Sequence, residues 1–457
     1  MNLKYTKVIF TLIIIILILV SIYMIYIKDS KASDEGVTNG KEIIITKDII
    51  IGITAFDTIN PLLTKSLELQ HITKLIYEPL INITQDFDLE PAIAKEWSRI
   101  DERIYLVKID EDKKWSNGNR VKIEDIEFTI NKIKEEDSIY NENVENIEKV
   151  EKIDESTFKI HLKEKQAFFE YLLCFPIVEK ETYNIQKPYG TGEYKINNIE
   201  DKQIEIANSE RKIIIKIYND IAELYNNFSR ENVDYILTQN INYEEYIGNI
   251  GFNETLITAR EFYYISCEDI ESIEIRNEIA KNINKEKIVY DLYNNKYKVA
   301  KTPLDYGNYL NIEENKPNIV NKKVKNIITI SSSEENKKIA EAIKNQLEEK
   351  GIKLQNYINT NANLILKKQV VPIVPDISIY FEDEEKKKEI QNINEIEDKE
   401  ILKQKYKEIL EEYYKEQPFI SLFFNNYIIL TNENLKGDFS GNWYNIFYNI
   451  DTWYKIL

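Results

Sequence analysis

Apolar residues recur along this chain with two alternating periods. Residues 43–45 and 49–53 are isoleucine-rich runs of the kind that fill a buried strand. Residues 103–109 (RIYLVKI) and 157–162 (TFKIHL) alternate apolar with polar, which predicts half-buried strands. Three further short β-like runs cover 194–199, 203–207 and 212–218, and strands are also expected at 327–330, 419–424 and 427–431. A helical period takes over at 67–77 and stops before Pro79. It returns where Ile123, Ile126, Ile130 and Ile133 share one stripe. Residues 275–293 read as two helices with Asn284 as the cap between them. Ser332 and Glu335 have capping-box spacing ahead of a helix that carries Ile339, Ile343 and Leu347 and ends at Gly351. Residues 382–414 are dense in charge with apolar positions at helical spacing, which predicts one or two solvated helices. Residues 141–152 are polar and read as loop, residues 311–325 as a linker, and Asn117-Gly118 as a turn. Strands and helices interleaved in this way predict an α/β architecture of mixed sheets.

The N-terminus adds a different element. Residues 8–27 carry no charge and only two polar residues, Thr11 and Ser21, which is long enough to cross a bilayer core. Lys4 and Lys7 ahead of it favour an outward-facing bulk, although Lys28 and Lys31 follow. Two alternatives stand: an uncleaved transmembrane signal-anchor over 1–28, or a signal peptide cut after Ala32 with Ser30 at the −3 position. The anchor would place a single-pass protein in the cell membrane with its bulk extracytoplasmic. Residues 29–41 would then be a tether.

Length and charge narrow the function. At 457 residues more than one core is expected. A net charge of −18 argues against a nucleic-acid partner, which needs a basic face. The two histidines, His71 and His161, and the two cysteines, Cys174 and Cys267, stand far apart in sequence. No HExxH, CxxC or glycine-rich phosphate loop occurs, so neither an enzyme nor a metal or other cofactor is expected.

A set of local motifs points further. Leu89-Glu90-Pro91-Ala92-Ile93-Ala94-Lys95-Glu96-Trp97 is followed by Lys114-Trp115-Ser116-Asn117-Gly118. Ile59-Asn60-Pro61 precedes Ile76-Tyr77-Glu78-Pro79-Leu80, and Tyr189-Gly190-Thr191-Gly192-Glu193-Tyr194 comes later. Ile275-Arg276-Asn277-Glu278-Ile279-Ala280, Gln417-Pro418-Phe419 and Leu435-Lys436-Gly437 complete the series. In this order the motifs resemble the extracellular solute-binding proteins of the oligopeptide, dipeptide and nickel type, with Glu193 where proline is usual. The resemblance implies a two-lobe clamshell that binds a peptide or small molecule and delivers it to the permease subunits of an ABC importer. Lobe I would comprise 42–78, 176–264 and 428–457, with an appended subdomain at 79–175. Lobe II would be 265–427, and shortened.

The resemblance also implies site residues. The loop Thr64, Lys65, Ser66 and Leu67 would line the cleft, as would Tyr263 and Tyr264 on a hinge strand. Each has a plainer role open to it: a solvated charge for Lys65, core aromatics for the tyrosines. Peptide-binding relatives carry a tryptophan and an acid that pairs with the peptide ammonium. The corresponding stretch here reads Glu382-Asp383-Glu384-Glu385, without tryptophan. Glu385 and its neighbours either supply that ammonium site or form the acidic first turn of the next helix. The missing tryptophan, the shortened lobe and the anchor also fit a degenerate member that senses peptides or docks on a transporter without delivering solute.

Overall fold

A computed structural model describes residues 45–248, 250–267, 269–312, 327–356 and 362–457. The expected anchor at 1–28, the tether at 29–41 and most of the linker at 311–325 lie outside these residues. Among the described residues, no helix is long and apolar enough to cross a membrane.

The isoleucine run Ile49–Ile53 is a strand near one side of an eleven-stranded sheet. It lies parallel to Lys212–Ile217 and to Tyr235–Thr238, and the hairpin-linked Gln203–Ala207 and Lys195–Glu200 extend that side outward. Gly52 in this strand sits under the helix Ile221–Ser229, where a Cβ would overlap Leu224 and Val233. At the other end of the sheet, Ile328–Ser332 runs parallel to Leu354–Asn356 and Leu364–Val370. Two long antiparallel strands, Phe252–Ser266 and Phe419–Asn432, join the halves.

The chain at 419–431, expected as two strands, is one continuous strand: Asn426 pairs with Thr258 in the ladder, and the buried Asn425 side chain bonds Glu261 across a break in it. It serves three cores. Phe419, Phe424 and Ile429 enter the largest, Ile420, Leu422 and Phe423 a second, and Ile428 and Leu430 a third. The second core is closed by Ile273–Asn282, Lys285–Tyr293 and Lys337–Glu349, whose Ile279, Ile288, Ile343 and Leu347 are buried. Asn284 caps the middle helix by accepting from Lys287 N at 2.8 Å.

A separate four-stranded antiparallel sheet in the order Ala94–Asp101, Ile104–Ile109, Thr157–Leu162, Ile147–Lys152 packs with the helix Ile123–Glu135. All four isoleucines of the predicted stripe are buried there. Residues 141–152, expected as loop, hold a short helix, Asn141–Val144, and the edge strand Ile147–Lys152. Trp115 is buried and donates from Nε1 to Asp125 at 3.3 Å. Gly190 and Gly192 lie so close to the carbonyls of Ile76 and Leu75 that a Cβ at either would overlap them. That contact explains the Gly-Thr-Gly turn. The capping box expected at Ser332 does not form: Ser332 stays in its strand opposite Leu366, and the helix starts at Lys337 after Asn336.

Candidate functional site: a polar belt between the cores

Of the two joining strands, Phe419–Asn432 is buried along nearly its whole length and Phe252–Ser266 from Phe262 onward. The largest core covers one face of both strands throughout; on the other face, between the third core at Ile428 and Leu430 and the second at Ile420, Leu422 and Phe423, the ladder breaks. Thr258 pairs with Asn426 and Phe262 with Phe424, so Ala259, Arg260 and Glu261 stand opposite Asn425 alone. The sequence thus places Arg-Glu against Asn-Asn at the joint. Asn425 is only 3% exposed and donates from Nδ2 to Glu261 Oε2 at 3.0 Å. Asn426 donates to the Lys296 carbonyl at 2.9 Å. The side-chain oxygens of both asparagines have no hydrogen-bond partner among the described residues.

Other elements converge on this break. The Arg260 guanidinium lies 5.0 Å from the Trp443 ring centre and its Nη1 is 3.5 Å from Glu142 Oε2, but off the line a hydrogen bond requires. The other Glu142 oxygen accepts from Ile373 N at 2.9 Å. His71 is buried edge-on to Tyr427, with ring centres 5.4 Å apart, and its Nδ1 is unpartnered among the described residues. Lys74, just beyond the helix Leu67–Ile72, donates to the Tyr444 carbonyl and lies 3.6 Å from that ring's centre.

Burial pushes the Lys74 ammonium down to about 7, with the Cys174 thiol opposing and the Arg260 charge reinforcing. Burial, aided by Lys74, holds His71 well below its ordinary value and so neutral. Burial raises the Cys174 thiol to about 11, against the pull of Lys74 and Arg260. Buried polar atoms without partners cost about 1–3 kcal/mol each. A belt of unmet donors and acceptors across an otherwise apolar joint is therefore suited to a polar ligand that completes it.

The expected site residues fall elsewhere in part. Thr64 is buried and donates to Asp57 Oδ1 at 2.7 Å, while Lys65 N donates to Asp57 Oδ2 at 2.6 Å. Lys65 Nζ pairs with Asp137 at 3.1 Å, Ser66 caps the following helix, and Leu67 packs on the largest core. This loop is held by its own turn and by Asp137, just beyond the helix Ile123–Glu135. Tyr263 and Tyr264 point to opposite faces of their strand. Tyr263 lies tilted against Phe423 in the second core and Tyr264 edge-on to Tyr380 in the largest. Glu385 is exposed in the first turn of the helix Glu384–Asn394, which Asp383 caps by accepting from Lys386 N at 2.7 Å. Of the four acids, Glu382 binds Lys367 at 2.8 Å. The stretch acts as a helix start, and Glu385 does not join the belt.

Arg260, Asn425, Asn426, Lys74 and Trp443 were not singled out from the sequence. The strand pattern did carry a signal. Asn425-Asn426 is an amide pair inside the apolar run 419–430, and Arg260-Glu261 directly precedes the apolar Phe262-Tyr263-Tyr264-Ile265. The two cysteines are both buried and form no disulfide with each other.

A two-lobe binding protein, with a mixed sheet strung on two joining strands, is the class that this fold and belt define. The sequence profile of the bacterial extracellular solute-binding proteins, family 5 (middle region), matches residues 88–369, well over half of the chain. The chain belongs to that family, whose members bind solutes and are not enzymes. Solved structures share the fold. The unliganded open form of MppA, a periplasmic murein tripeptide binding protein, superposes with a TM-score of 0.73 at 14% identity, covering 92% of this chain and 99% of that one. The oligopeptide-binding protein AppA from Bacillus subtilis, in complex with a nonapeptide, gives 0.60 at 17% identity, covering 90% and 99%. NikZ from Campylobacter jejuni, in complex with Ni(L-His), gives 0.61 at 19% identity, covering 90% and 100%. A search of curated protein sequences finds no match.

Proposed function

We propose that this protein is the peptide-binding component of an ABC-type importer, held at the outer face of the cell membrane by residues 8–27. The lobes divide as lobe I (42–78, 176–264 and 428–457 with the subdomain 79–175) and lobe II (265–427), with ligand taken up between them at the belt. Closure about the break in the joining strands would present both lobes to the permease. One observation carries the reading: the two asparagine oxygens and Arg260 Nη1 are unmet at the joint of the cores. A peptide backbone offers both N–H donors for the asparagines and carbonyl acceptors for the arginine. Two of the proteins that share this fold are the murein tripeptide binding protein MppA and the oligopeptide-binding protein AppA, the latter in complex with a nonapeptide.

Native mass spectrometry of the full chain, purified gently from its host in mild detergent, tests this. A co-purifying peptide mass is the expected result. An apo mass, together with no thermal shift on adding peptide mixtures, would overturn it.

A further inference from the structure

Beside the belt, and sharing Lys74 with it, lies a cavity of about 300 Å³. It sits between the turn Thr73–Leu75 with the residues just after it, the hairpin of Ile81–Ile83 and Leu89–Pro91, and the C-terminal segment at Tyr444. Its size is at the small end of the ~300–1,000 Å³ range of small-molecule sites. The wall carries Lys74, Tyr77, Glu78, Asn82, Glu90 and Tyr444.

Two of these groups are buried without a hydrogen-bond partner among the described residues: the Tyr77 hydroxyl, on a side chain 1% exposed, and Glu78 Oε2. The other Glu78 oxygen accepts from Lys113 Nζ at 2.7 Å, and Glu90 Oε1 accepts from Asn82 Nδ2 at 2.5 Å. Burial drives the Tyr77 phenol upward, so it stays a neutral hydroxyl. A buried carboxylate oxygen left bare costs more than a neutral one. Water can fill such a space, but it brings no counter-charge to Glu90, whose partner is the Asn82 amide, and none to Lys74, whose charged form burial disfavours; Glu78 already has Lys113 on one oxygen. The wall therefore asks for a small molecule that brings a cation to Glu78 and Glu90 and an anion to Lys74.

We propose that this cavity is a second binding site, distinct from the belt, for a free α-amino acid. Its ammonium meets Glu78, Glu90 and the Tyr77 hydroxyl, and its carboxylate meets Lys74.

Calorimetric titration of the full chain tests this, with L-alanine, L-lysine, L-glutamate and L-tyrosine in turn and methylammonium and acetate as single-ended controls. At least one amino acid should bind saturably, and neither control should. Tyr77→Phe removes only an unpartnered hydroxyl, so it should fold, keep its co-purified peptide, and bind that amino acid about fivefold more weakly, the effect of one hydrogen bond. Glu90→Gln should weaken it by about tenfold or more, since a charged partner is lost. No saturable heat, equal affinity in both variants, or displacement of the amino acid by a belt-bound peptide would overturn the proposal. Loss of peptide binding alone would overturn the importer reading and leave this one standing.

Discussion

Asp234 is fully buried at the end of the strand pair that holds Ile49–Ile53, with one oxygen accepting from Ile50 N at 2.8 Å. Its other oxygen has the Lys455 ammonium at 2.6 Å, off the line of a hydrogen bond. Removing one member of a buried ion pair strands the other. Lys455→Met should therefore destabilise the fold by about 3–5 kcal/mol in urea titrations, and Asp234→Asn with Lys455→Met by clearly less. A loss equal in the single and double variants would show that the pair is not coupled. Lys74 gives a pH prediction at the same scale. Its ammonium falls from 10.5 to about 7 on folding. Between those values the unfolded chain holds a proton that the folded chain has released, so stability rises with pH across that window and is lowest below about 7. Lys74→Met should flatten this slope and raise the melting temperature at pH 6 relative to the parent. Thermal denaturation at pH 6 and pH 9 checks it, and an unchanged slope would refute it.

At the scale of elements, the break in the joining strands separates binding from stability. Asn425→Leu removes a buried unmet oxygen and fits an apolar strand, so folding stability should change by no more than about 1 kcal/mol. Peptide retention in native mass spectrometry should nevertheless be lost. Retention at the parent level would remove Asn425 from the site. How legible each element was follows from where its signal came from. The stripe Ile123, Ile126, Ile130 and Ile133 and the alternation at 157–162 are carried by the element's own residues, and both formed as expected. The edge strand Ile147–Lys152 was hidden, because one of its faces is wet and its pairing comes from the neighbouring Thr157–Leu162. Asn425-Asn426 looked like a strand break for a related reason: what keeps these amides in the sheet is Glu261 and the Lys296 carbonyl, both distant in sequence. The loop at Thr64, Lys65, Ser66 and Leu67 followed from resemblance alone, whereas its turn is set by Asp57, seven to eight residues away. Family motifs such as Gly190-Thr191-Gly192 record close backbone packing, which is why they spoke clearly about the fold and little about ligand.

Over the whole molecule, the region of the four-stranded sheet and the helical region near residue 397 share the largest core, and at its rim they meet through charge and stacked rings. Arg99 bonds Glu397, Lys165 lies 3.5 Å from the same carboxylate, and Tyr171 stacks on Tyr309 at 4.3 Å. Exposed pairs of this kind weaken when salt shortens the screening length to about 3 Å at 1 M. The ligand-free chain should therefore open in high salt, seen as a larger radius of gyration by small-angle X-ray scattering. A radius indifferent to salt would show that the rings and the shared core hold this contact without the charges. The strand Phe419–Asn432 has a further consequence, for synthesis. It is inserted between Tyr235–Thr238 and Phe252–Ser266, so the eleven-stranded sheet remains two unjoined pieces until nearly all of the chain has been made. Each piece presents a bare edge in the meantime. A ribosome-bound or half-exported chain ending before residue 419 would be a sticky intermediate, dependent on holdase chaperones in a way the finished protein is not.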